Sequence, residues 1–156
     1  MQQPASSILI YGYGNPGRQD DALGILLSGE IEKWAQQNKL TNIEVEQNYQ
    51  LNIEDAEKIS HFDVVIFADA SMNEIESFSF GRLEADLLTE FSMHSVKPSF
   101  VLGLCEEIFE HSPHAYLLRI RGYKWELIEK ISPKAKKNLL ASIEFLKMII
   151  EEKHEL

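Results

Sequence analysis

The chain has 156 residues, 44% of them hydrophobic and 26% charged, a balance that points to one soluble globular domain over residues 1–156 and excludes a disordered or fibrous chain. A single cysteine, Cys105, excludes an internal disulfide and an all-cysteine zinc cage, and no apolar run reaches the ~18 residues of a membrane span. Fifteen cationic against twenty-five anionic side chains leave a net charge of −10, a field that repels a phosphate backbone and argues against nucleic acid as a partner.

The first seven residues carry no lysine or arginine, and the apolar run behind them is short. That is not the pattern of a secretory signal, so a cytoplasmic location is expected. Residues 7–11 form a β-branched and aromatic run that stops at Gly12, the pattern of a buried strand. Asp20 and Asp21 then precede a helical spacing of Leu23, Leu26, Leu27, Ile31 and Trp34, which Asn38 is expected to end. An aspartate at such a start satisfies orphan amides and favours the positive end of the macrodipole. Ile43 and Val45 alternate with Glu44 and Glu46, predicting a strand with one wet face, and residues 53–59 predict a short helix capped by Asn52.

The strongest strand signal follows at residues 62–68, ending at Asp69; its apolar run from Val64 to Ala68 suits a central strand covered on both faces. Phe78 and Phe80 alternate with serines as a further strand. Helices are expected over 83–91 and 99–109, and a strand over 116–120. Ser132 and Pro133 open a final helix whose Leu139, Leu140, Ile143, Leu146 and Ile150 are expected on one face. Strands and helices alternate without a linker or repeat. The expected fold is therefore α/β, a three-layer αβα sandwich with a mostly parallel twisted sheet and helices on both faces. In such sheets ligands gather beyond the carboxyl ends of the strands, where Gly12 and Asp69 stand.

Gly12-Tyr13-Gly14-Asn15-Pro16-Gly17 matches G-x-G-x-x-G after a strand, a weak dinucleotide-binding pattern. A pyrophosphate needs the bare amides of a helix N-terminus, whereas here two carboxylates, Asp20 and Asp21, stand at that start. Gly-Asn-Pro-Gly also resembles the opening of peptidyl-tRNA hydrolases, but no histidine occurs before His61 and the resemblance stops at four residues.

The continuation resembles another family. Gly12-x-Gly14-Asn15 followed by Arg18-x-Asp20-Asp21-x-x-Gly24 is similar to the N-terminal signature of the endopeptidases that mature nickel-iron hydrogenases. Val64-Val65-Ile66-Phe67-Ala68-Asp69-Ala70 resembles their second signature, an apolar strand ending in Asp-Ala, and His94 in Ser92-Met93-His94 resembles their third. Tyr49-Gln50-Leu51 with Glu54-Asp55-Ala56, Ile120-Arg121-Gly122-Tyr123 and the stretch from Ser132-Pro133 to Asn138-Leu139 extend the similarity along nearly the whole chain. One departure is Glu46-Gln47-Asn48, where many members carry an aspartate and glycines.

The resemblance implies a metal-contacting trio of Asp21, Asp69 and His94. Two carboxylates and an imidazole suit a divalent metal of intermediate softness with positions left open for water or substrate. Nickel, supplied by the substrate, is the implied metal, and another divalent ion could occupy the same donors. Read without the resemblance, Asp21 is a helix cap, Asp69 is a functional candidate at a strand end, and His94 is a surface histidine. Asp20 is assigned to capping or to support of the site. His111 and His114 flank Pro113 in a loop expected to be solvated, with a substrate contact as the other reading, and Cys105 is expected to be buried in a helix. No acyl-enzyme motif is present. The implied function is removal of a C-terminal extension from a nickel-loaded hydrogenase large-subunit precursor, by water attacking a metal-polarised carbonyl with an aspartate as general base. A non-catalytic metal-dependent binding module of the same fold is the alternative, and a dinucleotide-binding protein stands behind it.

Overall fold

In the computed structural model, which describes residues 5–88, 96–152 and 156, the β-branched and aromatic runs become strands and the residues between them become helices. The strands are β1 (Ile8–Tyr13), β2 (Ile43–Asn48), β3 (Val64–Ser71), β4 (Phe78–Arg82) and β5 (His114–Arg121). The helices are α1 (Leu23–Gln37), α2 (Asp55–Ile59), α3 (Pro98–Phe109) and α4 (Pro133–Glu152). The sheet order is β2-β1-β3-β5-β4, parallel except for β4, which pairs antiparallel with β5 at one edge. The fold is α/β, as its alternation of patterns requires.

Central position explains composition. β1 and β3 are apolar nearly throughout because helices cover both of their faces. On one face Ile10, Ile66, Leu118 and Ile120 pack under Leu23, Leu27 and Ile31 of α1 and Leu139, Ile143 and Leu146 of α4. On the other, Leu9, Tyr11, Val65 and Phe67 meet Ala56 and Ile59 of α2 and Val101, Leu102 and Cys105 of α3. Each fully buried Leu, Ile or Phe contributes roughly 1.5–3 kcal/mol from apolar area removed from water. β2 covers an edge, and its glutamates stay partly or fully exposed.

The details depart from local reading in four places. Asp20 and Asp21 do not cap α1; they occupy a 3-10 turn at Gln19–Ala22, and α1 starts at Leu23 behind Ala22, with no side-chain cap. Asn52 does not cap α2 either. Asp55 reaches back instead, accepting from the Asn52 amide at 2.8 Å and the Tyr11 hydroxyl at 2.7 Å, so a tertiary partner sets the start. Residues 83–88 are not helical, and 89–91 lie outside the described residues. The Leu83 amide donates to the Ala115 carbonyl at 2.8 Å and the Asp86 amide to the Ser99 carbonyl at 3.0 Å, so ladder-like bonds override helical spacing. On α4, Leu140 is 55% exposed; the buried stripe continues through Ala135 instead. The expected ends hold elsewhere: Asn38 closes α1 by donating to the Trp34 carbonyl, and Ser132 with Pro133 opens α4. Among the described residues no helix is long and apolar enough to cross a membrane.

Candidate functional site

The chain leaves β1 toward β2 on one side and reaches β3 on the other, so the strand order reverses between β1 and β3. A crevice opens at such a switch point, beyond the carboxyl ends of the strands. Tyr13 ends β1 and Asp69 lies near the end of β3, one position past the Gly12–Ala68 register pair. The Tyr13 hydroxyl hydrogen-bonds the Asp69 carboxylate.

Asp21 is brought to this crevice by two close approaches. Gly24 lies against the sheet: a Cβ there would fall 2.3 Å from the Ala68 carbonyl oxygen and 2.8 Å from that of Tyr13, so only glycine lets α1 begin on top of β1 and β3. Gly14 holds φ +139°, and a Cβ on it would lie 2.2 Å from the Asp21 carbonyl oxygen. The turn is then closed by the Asn15 amide, which donates to Asp21 Oδ2 at 2.9 Å. Both glycines thus serve the placement of one carboxylate.

Burial raises the Asp69 carboxyl to about 7, and the neighbouring negative charge of Asp21 pushes in the same direction. The Ala70 amide, the Tyr13 hydroxyl and the charge of Arg119 oppose that rise without cancelling it. Tyr13 in turn is driven well above the ordinary tyrosine value by burial and by the Asp69 charge, so it stays a donor. Two carboxylates held within electrostatic reach in a partly dry crevice form a site whose deficit is a cation. Arg119 is in register with Asp69 across β3 and β5, and its Nε is buried with no hydrogen-bond partner among the described residues.

Asp20 faces the other way. Fully buried, it accepts from the amides of Tyr123, Lys124 and Ser132 at 2.7, 3.0 and 2.7 Å and from the Ser132 hydroxyl at 2.7 Å. Burial alone would raise its carboxyl, but these four donors outweigh it and hold the group below the ordinary aspartate value. One carboxylate so ties the 3-10 turn to the loop between β5 and α4.

No family model and no curated protein matches this sequence. Solved structures do match its fold. The [NiFe] hydrogenase maturation protease HycI from Thermococcus kodakarensis is 22% identical over 94% of this chain and 93% of its own, with a TM-score of 0.74. The hydrogenase maturating endopeptidase HybD from Escherichia coli is 18% identical over 95% and 94%, with a TM-score of 0.69. A hydrogenase 2 maturation peptidase from a Thaumarchaeota archaeon is 15% identical over 92% and 97%, with a TM-score of 0.66. The chain has the hydrogenase maturation protease fold.

At the switch point Asp21 lies close enough to Asp69 for its charge to act on the Asp69 carboxyl. His94 lies outside the described residues. Among the described residues no three His, Cys, Asp or Glu side chains gather as a metal cage, so the aspartates stand as a pair. Their chemistry suits a divalent ion: hard oxygen donors, mutual repulsion, and one carboxylate whose ionisation is disfavoured until positive charge arrives.

The other candidates take structural roles. Cys105 is buried, its thiol raised by burial to about 11, and it donates to the His111 carbonyl. His111 is half-buried instead of solvated, its Nε2 2.9 Å from the Phe62 carbonyl oxygen. His114 opens β5 and is exposed. The departing stretch Glu46-Gln47-Asn48 ends β2, where Gln47 donates to the Ser28 hydroxyl and Asn48 to the Tyr11 hydroxyl. Sequence reading missed Tyr13 and Arg119. The signal for Tyr13 was its place between Gly12 and Gly14 at the end of a central strand; Arg119 carried no local signal.

Proposed function

We propose that this chain is an endopeptidase that removes a C-terminal extension from the large-subunit precursor of a nickel-iron hydrogenase, acting in the cytoplasm once nickel is in the precursor. The observation that carries this reading is the charge-coupled Asp21–Asp69 pair at the switch point. The extent of the fold likeness, more than nine-tenths of the chain, supports it.

In this reading Asp21, Asp69 and His94 contact nickel that enters as part of the substrate, and another divalent ion can take its place on the same donors. The metal supplies polarisation of the scissile carbonyl. The protein residues do the rest. Gly14 and the Asn15 amide hold Asp21 in place, and the Tyr13 hydroxyl orients Asp69. Asp69, ionised once the cation of the substrate offsets the charge of Asp21, takes the proton of the attacking water as general base. A precursor without nickel brings no cation to offset the two carboxylates, which makes the pair a check on maturation as well as a part of the chemistry.

The test is incubation of nickel-loaded and nickel-free precursor with wild-type protein and with Asp69→Asn, followed by intact-mass measurement. Loss of the extension from the nickel-loaded precursor alone, and only with wild-type protein, is expected. Tight association without any cleavage would make the chain a binding module and refute the endopeptidase reading.

A further inference from the structure

A cleft of about 540 Å³ lies beside the site, and nothing in the proposed chemistry occupies it. It is lined by Pro16 and Gly17 of the turn after β1, by Ala22 and Leu26 at the start of α1, and by Ile128 and Ile131 of the loop between β5 and α4. The lining is mainly apolar and open to solvent: Leu26 is 39% and Ile128 95% exposed. An isoleucine so exposed ordinarily carries no strain, yet Ile128 holds φ +66°, a conformation that a β-branched residue adopts only at a cost. The bond that fixes it runs across the cleft, from the Ile128 amide to the Gly17 carbonyl at 2.9 Å. Four hydrogen bonds from the same loop and from Ser132 to buried Asp20 brace that loop.

Charge says what the cleft receives. In a chain of net charge −10, residues 124–137 contain five lysines and two glutamates. Lys130 and Lys136 line the cleft together with one glutamate, Glu129, so its lining is net cationic; neither lysine forms an ion pair among the described residues. A cationic rim on an anionic protein selects acidic partners and repels others. The cleft adjoins the turn that positions Asp21: Pro16 and Gly17 line it, and the Asn15 amide just before them donates to Asp21.

We infer that this cleft docks an extended peptide in which apolar residues are interspersed with carboxylates, and that this peptide is the tail the enzyme removes. The second half of this inference rests on the endopeptidase reading; the first does not. Apolar side chains lie between Leu26 and Ile128, and carboxylates reach Lys130 and Lys136. Docking there delivers the peptide bond to be cut toward Asp21 and Asp69.

Two assays keep these halves apart. In the first, fluorescence anisotropy follows two labelled twelve-residue peptides, one alternating leucine with glutamate and one alternating leucine with lysine. Wild-type protein should bind the glutamate peptide only, and more weakly as salt rises. Ile128→Gly, which removes the strain together with the side chain, should melt no lower than wild type yet bind on the order of tenfold more weakly. Lys130→Glu with Lys136→Glu should also weaken binding. Equal binding of the two peptides, binding of neither, or unchanged affinity in Ile128→Gly overturns the docking site. So does self-association of wild-type protein that Ile128→Glu abolishes, which would make the cleft a surface for a second copy. In the second assay, cleavage of nickel-loaded precursor by Ile128→Gly should show KM raised on the order of tenfold with kcat held. A fall in kcat at constant KM overturns the tail assignment, whereas no cleavage by wild-type protein removes the endopeptidase reading and leaves the anisotropy result standing.

Discussion

Asp69→Asn should stabilise the metal-free protein at alkaline pH while removing its proposed activity. In the folded chain the Asp69 carboxyl sits at about 7, raised chiefly by burial and further by Asp21, against about 3.9 for an aspartate in an unfolded chain. The native state therefore keeps this proton to higher pH than the unfolded state. Stability owed to the protonated group is fully present below about pH 4, declines as pH rises, and is gone above about pH 7. Three units at 1.36 kcal/mol each set an upper figure of about 4 kcal/mol, and residual solvent contact lowers it toward about 2. Asparagine has nearly the same shape and can still accept from the Tyr13 hydroxyl, but it never ionises. Urea denaturation in the presence of a chelator should thus find the variant about 2–4 kcal/mol more stable than wild type at pH 8. At pH 4.5 the two should lie within about 1 kcal/mol. Parallel stability curves across that range, or a variant weaker than wild type at pH 8, would refute the argument that Asp69 is held in a crevice hostile to its charge.

Arg119→Met should move the Asp69 transition in the same denaturation series to higher pH, because the Arg119 charge opposes the rise; an unmoved midpoint removes Arg119 from the site. Gly14→Val should impair processing and lower stability, since its Cβ would collide with the Asp21 carbonyl and its φ of +139° suits glycine; wild-type cleavage by this variant would show that Asp21 needs no such placement. Asp20→Ala strands the amides of Tyr123, Lys124 and Ser132 and should cost on the order of 3–5 kcal/mol by urea titration, with a loss under 1 kcal/mol contradicting its role as a tie. His94→Ala should abolish processing of nickel-loaded precursor, and near-normal cleavage would remove His94 from the trio.

The sequence by itself determined the architecture. Apolar runs at residues 8–11 and 64–68 are satisfied by strands covered on both faces, and helical spacing between them supplies the covering layers. Two of the proposed contacts, Asp21 and Asp69, were picked out by the family resemblance; local pattern alone makes Asp21 a helix cap and puts Asp69 at a strand end, where such a sheet opens. Tertiary structure decided everything that depends on residues far apart in the chain. Asp20 reads locally as a cap, but its partners are Tyr123, Lys124 and Ser132, more than a hundred positions away. Residues 83–88 have helical spacing yet are held by the backbone of Ala115 and Ser99. Neither the Tyr13 bond to Asp69 nor the nearness of Arg119 has any trace in local pattern, since both arise from strand register. Local propensity is worth tenths of a kcal/mol per residue, whereas a buried carboxylate or amide without its partner costs about 1–3 kcal/mol or more. Where the two compete, the distant partner wins.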